Sequence, residues 1–181
     1  MSKDELVIGP YFRSPAACHD YDPRIPAVAR RVASMITSRF PALTVEHVGS
    51  TSVPGCAGKG VIDLMVLYPL GLLEDTKAVL SDLGFQRQIS SDPHPEDRPM
   101  RTGSVQYQRD TFRVHAHVLA MDSPEVEQLR TFRDRLRTDP HLVDAYVARK
   151  QEIIAAGITD SLEYARAKGP FVEKVLTDEA K

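Results

Sequence analysis

The sequence predicts an α/β (α+β) protein: a small mixed β-sheet flanked by helices, with a helical C-terminal region. Three observations predict it. Apolar residues recur at three and four positions from Ile25 to Ile36, the period of a helix packed along one side. The stretch GVIDLMVLY (60–68) is apolar on both parities, as a strand covered on both faces should be. From Ser123 onward, helix-start signals recur and strand-like runs stop.

Residues 1–22 mix Pro, Gly and aromatics without a period, apart from LVI (6–8), which reads as a short edge strand. Asp22 and Pro23 stand where a helix can begin, Asp22 as its cap, and Pro41 ends that helix after Arg39. LTVEHVG (43–49) reads as a β-branched strand and 60–68 as the next. The spacing then predicts a helix over 71–83, stopped by Gly84 in the position after its cap. Residues 85–90 read as a third strand, and SSDPHPEDRPMRTG as a polar, Pro-rich loop of a length more often functional or mobile than idle. GSVQYQ and TFRVHAHVLA read as a hairpin turning near Arg109 and Asp110. Ser123 with Pro124, then Pro140, then Thr159 or Asp160 open three helices, the last running to about Thr177. The resulting order packs helices on a small sheet.

At 181 residues and 42% hydrophobic, the chain is long enough for one compact unit, with a core over 1–122 and a helical region over 123–181 packed on it. A net charge of −2, with both signs interspersed apart from an Arg-rich stretch between Arg87 and Arg113, gives no global pull toward nucleic acid or membrane. Cys18 and Cys56 have no metal-ligand spacing and are expected as free thiols of a reducing compartment. No signal-like segment opens the chain and no apolar run approaches about 20 residues, so the expectation is a cytoplasmic protein without a membrane partner.

The chemistry concentrates in EHVGSTSVPGCAGKGVIDLMVLY (46–68). A turn at Gly49 and Ser50 lets backbone N–H groups approach a ligand, and the hydroxyls of Ser50, Thr51 and Ser52 suit phosphate oxygens. Asp63 is a bare carboxylate in an apolar strand, costly to bury without a partner. If the two strands are neighbours, a phosphate cradle lies beside a carboxylate able to hold Mg²⁺, with Lys59 as a further phosphate contact. The same residues also fit an ordinary Gly-Ser turn, with Asp63 capping a turn or pairing with Arg113.

The run Glu46, His47, Gly49, Ser50, Thr51, Ser52, Val53, Pro54, Gly55, Lys59, Ile62, Asp63 resembles the signature of the GrpB-like family, a branch of the nucleotidyltransferase superfamily. Cys56 stands where that family usually has an aliphatic residue, and Gly60 where it usually has proline. HAHV (115–118), FRDRLRTDPHLVDAYVARK and YARAKGPFV resemble later family segments in the right order, so the likeness runs from about residue 23 to the C-terminus. It implies a nucleotidyltransferase-like core and transfer of a nucleotidyl group from an NTP with a divalent metal. It also implies helices that complete the nucleotide pocket, where Tyr164 would stack on a base and Lys168 seek phosphate. Some members are fused to dephospho-coenzyme A kinase, which points to a coenzyme-A-related ligand.

Active members of the superfamily carry a second carboxylate two residues after the first, where this chain has Met65, which cannot bind Mg²⁺. His115 and His117 share one face of their strand, about 7 Å apart at Cα, and would join Asp63 if the strands are adjacent. That donor set suits Zn²⁺ or Mn²⁺ better than Mg²⁺. One histidine could instead be a general base, or both simply face solvent. Arg98, Arg101 and Arg109 flank the Pro-rich loop as candidates to close on an anion. Tyr146 and Lys150 repeat the spacing of Tyr164 and Lys168. Three functions stay open: a nucleotidyltransferase, a binding module for a nucleotide or phosphorylated metabolite, and a metal-dependent hydrolase using Asp63, His115 and His117. A nucleic-acid substrate is the least favoured, since no aromatic-basic platform is present.

Overall fold

The structure, a computed structural model, describes residues 6–178; the outer ends of the two expected units, 1–5 and 179–181, lie outside that range. In chain order the elements are β1 (Ile8–Gly9), α1 (Ile25–Arg39), β2 (Thr44–Val48), a single 3₁₀ turn (Ser50–Ser52), β3 (Ile62–Tyr68), α2 (Leu73–Asp82), β4 (Gln86–Arg87), β5 (Met100–Tyr107), β6 (Asp110–Ala120), α3 (Pro124–Thr138), α4 (Pro140–Ala155) and α5 (Ser161–Thr177). The sheet runs β1-β5-β6-β3-β2, with β4 pairing beside β1 on β5. Only β3 and β6 are parallel; every other pair is antiparallel.

Alternation along the two central strands builds two layers. Ile62, Leu64 and Val66 of β3 join Val114, Ala116 and Val118 of β6, and this face packs on Val28, Val32 and Ile36 of α1 and Leu80 of α2. The opposite parity carries Met65 and Leu67 with Leu119, and α3 covers them with Val126 and Leu129. Asp63 shares that second face but sits before the α3 cover begins. A third cluster ties Val53 and Cys56, in the loop after the 3₁₀ turn, to Phe132 and Leu136 of α3, Val143 and Tyr146 of α4, and Val175 of α5.

Several expected elements shift. The third strand shrinks to the two residues of β4, because the chain leaves the sheet edge into the Pro-rich loop. β5 begins at Met100, three residues before the expected start, because Arg101 and Thr102 pair with β4 on one side and β6 on the other. Asp22 does not cap α1; its carboxylate accepts from the Arg24 N–H at 2.9 Å and pairs the Arg24 guanidinium, closing the turn before the helix. Gly84, at φ 103°, does terminate α2, and the hairpin turns through Gln108 and Arg109.

Glu46 fastens β2 to α3. Its carboxylate accepts from Arg130 Nη2 at 2.6 Å and Arg133 Nη1 at 3.0 Å, and these hydrogen bonds, Arg130's first, hold its pKa below the usual range. Glu46→Ala removes the carboxylate that Arg130 and the well-covered Arg133 share, leaving Arg133 to Asp134 and the His47 carbonyl, and should cost about 1–3 kcal/mol, read as a lower urea midpoint at pH 7. A carboxylate depressed by folding contributes above its unfolded pKa and loses that contribution in acid. The gap between wild type and variant should therefore narrow below about pH 4.

Candidate functional site

β2 and β3 are antiparallel neighbours with Val48 opposite Asp63, so the turn at Gly49 falls directly against the carboxylate. Gly49 has φ 69° and ψ −175°, a region open essentially only to glycine. A Cβ there would stand 2.7 Å from Asp63 Oδ2, so the missing side chain is what lets backbone and carboxylate meet. On the other side, β6 runs parallel to β3 with His115 opposite Asp63 and His117 opposite Met65. The expected convergence of Asp63, His115 and His117 is therefore realised geometrically.

His117 Nε2 lies 3.3 Å and His115 Nδ1 3.5 Å from the same oxygen, Asp63 Oδ1, and one donor atom from each of the three residues falls within 4.8 Å of the others. One carboxylate oxygen and two imidazole nitrogens at that spacing fit a single divalent ion, with nitrogen-rich ligation suited to Zn²⁺ or Mn²⁺. Burial opposes ionisation of Asp63, but hydrogen bonds from His115 and His117 outweigh it and keep the carboxyl well below the usual range. Burial lowers His115, against the pull of Asp63, which favours the neutral imidazole that metals bind. Met65 is fully buried against Leu67 and Leu119, so the second carboxylate position of the superfamily belongs to the core here.

The cluster opens onto a cavity of about 860 Å³. Its walls come from Tyr11 and Arg13 near the N-terminus, the Pro-rich loop 88–95, and the start of α5. Lys59 and Lys168 face it. Neither has a side-chain hydrogen bond or ion pair among the described residues; both ammonium groups lie over the Tyr164 ring, at 5.4 and 4.8 Å. Burial lowers both pKa values, that of Lys168 to about 8, with Lys59 as the next cause. Two cations with no hydrogen bond or ion pair among the described residues therefore stand on this wall with Asp63, and Asp160 acts on Lys59 from the start of α5.

Other expected residues take different places. Ser50 opens the 3₁₀ turn and stays partly accessible. Thr51 and Ser52 are buried with their hydroxyls engaged: Thr51 Oγ1 donates to the Val61 carbonyl at 3.0 Å, and Ser52 Oγ to the Gly49 carbonyl at 2.6 Å. They brace the turn, and the direct phosphate contact expected of them would need both bonds broken. Tyr164 departs from the expected base-stacking ring: it is 1% exposed, beneath the two lysines, and its hydroxyl has no partner among the described residues. Arg113 donates to the Lys59 carbonyl at 2.9 Å, fixing the approach to β3, and makes no pair with Asp63. Arg101 pairs with Glu96 and Arg98 with Glu125. Lys150 is 1% exposed, hydrogen-bonded to the Ala57 carbonyl and 3.3 Å from Cys56 Sγ.

Sequence reading missed Tyr11, whose hydroxyl is 2.9 Å from His115 Nε2, and His94, whose ring stands edge-on to His117. Tyr11 belongs to a stretch without period. His94 was visible only as part of a polar loop, and its pairing with β6 is purely tertiary.

This sheet, with its turn and carboxylate on neighbouring strands, defines the nucleotidyltransferase-like fold. Among solved structures, the conserved protein GrpB from Enterococcus faecalis is similar, with a TM-score of 0.67 at 22% identity over 88% of this chain and 94% of that one. The structure of mtPAP in complex with CTP is similar at a TM-score of 0.53 and 13% identity, over 79% of this chain and 36% of that one. The GrpB protein profile matches residues 15–178, and the chain belongs to the GrpB family. A UPF0157 protein of Vibrio cholerae is 32% identical over 147 residues, covering 81% of this chain and 73% of that one. Among the described residues, no helix is long and apolar enough to cross a membrane.

Proposed function

We propose that the chain binds a nucleoside triphosphate with one divalent ion and transfers its nucleotidyl group to an acceptor. The observation that carries this reading is the joining of the Asp63, His115 and His117 donor atoms, around one cavity, with two lysines that have no hydrogen bond or ion pair among the described residues. The ion, held by those three residues, would neutralise phosphate charge and orient the triphosphate. Lys59 and Lys168 would take phosphate oxygens, and the backbone at Gly49 and Ser50 would lie against the same group. In the transfer, an acceptor oxygen bonds to the α-phosphorus as the bond to the bridging oxygen breaks. Pyrophosphate leaves with that electron pair, and the acceptor's proton passes to water. Such a reaction depends on positioning and charge neutralisation more than on a strong base, which suits an Asp63 kept ionised.

The nitrogen-rich donor set favours a second reading, in which a metal-bound water is the acceptor and the chain is a phosphohydrolase. Binding comes first in either case. Metal-stripped protein should be scanned by thermal shift with each NTP, coenzyme A and dephospho-coenzyme A, with Mg²⁺, Mn²⁺ or Zn²⁺. A ligand at a hundred times its Kd adds about 2.7 kcal/mol to stability. A metal-dependent NTP shift supports the first reading, and pyrophosphate release on adding an acceptor completes it. Steady phosphate release without an acceptor selects the hydrolase. Absence of any NTP shift under every metal overturns the nucleotide reading.

The lysines give this reading a pH dependence. Lys168 is charged below about pH 8 and loses its charge above, so affinity for a phosphate-bearing ligand should fall as pH rises through that value. Titration of tripolyphosphate binding by calorimetry between pH 7 and 9.5 should record the loss, and Lys168→Met should flatten the profile.

A further inference from the structure

The two histidines of the cluster have outer partners of opposite chemistry. His115 turns Nδ1 to Asp63, and its Nε2 lies 2.9 Å from the Tyr11 hydroxyl. A phenol both donates and accepts, so when Nδ1 holds a metal the proton on Nε2 has a partner. His117 turns Nε2 to Asp63, and its Nδ1 lies 3.5 Å from Arg98 Nη1. A guanidinium only donates. His117 Nδ1 must therefore accept, and the ring proton sits on Nε2, aimed at Asp63.

A metal at Nε2 requires the other tautomer, with the proton on Nδ1 pointing into the guanidinium. Arg98 and a metal-bound His117 are incompatible as placed, and the two positive charges also repel. The group that could take the new Nδ1 proton is already beside them. Glu125, in the first turn of α3, accepts from Arg98 Nε at 2.8 Å and also from Nη2; burial raises its pKa, but the hydrogen bonds and charge of Arg98 hold it below the usual range. A carboxylate behind a metal-bound histidine is the usual outer partner. Arg98 Nη1 also donates to His94 Nδ1 at 3.2 Å, and His94 belongs to the loop that walls the cavity.

We infer that Arg98 is a positioning residue that holds His117 in the tautomer of the metal-free protein, and that metal binding displaces it. Its departure frees Glu125 to accept from His117 Nδ1 and unties His94, so loading the ion remodels the cavity wall. This rests on the proposed metal site, and the test separates the two.

Ring ¹⁵N correlation spectra of histidine-labelled protein read the tautomer directly. Metal-free His117 should carry its proton on Nε2 and change to Nδ1 at saturating Zn²⁺. Zn²⁺ affinity is then measured by chelator competition. Outer-shell changes shift affinity by about 10–100-fold, so Arg98→Met should bind about tenfold tighter than wild type and Tyr11→Phe about tenfold weaker. Arg98→Met combined with Glu125→Gln should lose the gain. A metal-free His117 already protonated on Nδ1 overturns the inference, as does an Arg98→Met protein that binds no tighter while wild type binds Zn²⁺. Failure of wild type and Arg98→Met alike to bind Zn²⁺ overturns the metal site itself, and the inference with it. The wild-type spectra need no variant, so a misfolded Arg98→Met leaves the tautomer test standing.

Discussion

Asp63→Asn should abolish metal-dependent ligand binding while leaving the fold intact. Asparagine keeps the shape of the side chain and an oxygen able to accept from His117 Nε2, which stands 3.3 Å away. It removes the one anionic donor of the cluster and, among the described residues, the one carboxylate that the sheet turns toward the cavity of Lys59 and Lys168. Changes one shell further out cost about 10–100-fold in metal affinity, so loss of this ligand should exceed about a hundredfold. The check is chelator competition for Zn²⁺ and Mn²⁺ beside a thermal melt of the metal-free protein. The expected pair of results is no measurable affinity and a midpoint close to wild type. Retained affinity would mean that the histidines or another group hold the ion without Asp63, and the site would have to be redrawn.

Gly49→Ala should do the reverse, damaging fold and site together. The backbone there is at φ 69° and ψ −175°, and a side chain in that region costs about 1–3 kcal/mol before any contact is counted. The new methyl would also stand 2.7 Å from Asp63 Oδ2 and 3.2 Å from its Cβ, so β2 or Asp63 must move. A drop of about 2–12 °C in thermal midpoint follows at roughly 2–4 °C per kcal/mol for a chain of this size, with weakened metal affinity in the protein that remains folded. A midpoint equal to wild type would show that the turn relaxes freely, and would remove the close approach from the account of the site.

Much of this was legible in the sequence, for identifiable reasons. Helix starts announced themselves where the capping chemistry is local: Ser123 Oγ accepts from the Glu125 N–H, and the Asp160 carboxylate from those of Leu162 and Glu163. β3 was legible because burial on both faces leaves no polar parity, so Asp63 stood out. His115 and His117 were readable as face-sharing because strand alternation depends on nothing remote. Elements whose form depends on partners were not legible. β4 is two residues held by β5, and β5 begins inside what reads as a loop because Arg101 is buried through its pair with Glu96. The same divide runs through the site. Its inner residues share a pattern, whereas Tyr11, the loop residues His94 and Arg98, and Glu125 come from three segments that only the tertiary fold assembles. Thr51 and Ser52 mark the opposite case, where residue type suggested a ligand contact and the backbone consumed the hydroxyls.

The parallel pairing of β3 with β6 bears on how the chain is made. Asp63 and His115 are paired neighbours, yet about fifty residues separate them along the chain, so their contact closes a long loop. At about 5–20 residues per second on the ribosome, β6 emerges some 3–10 s after β3. During that interval one edge of β3 lacks its neighbour, and IDLMVLY is the kind of apolar, β-prone segment that pairs with the wrong chain. Asp63 is the single charge within it. The residue that anchors the proposed metal site therefore also serves the nascent chain as a gatekeeper against aggregation, a duty Asp63→Asn would remove along with the metal.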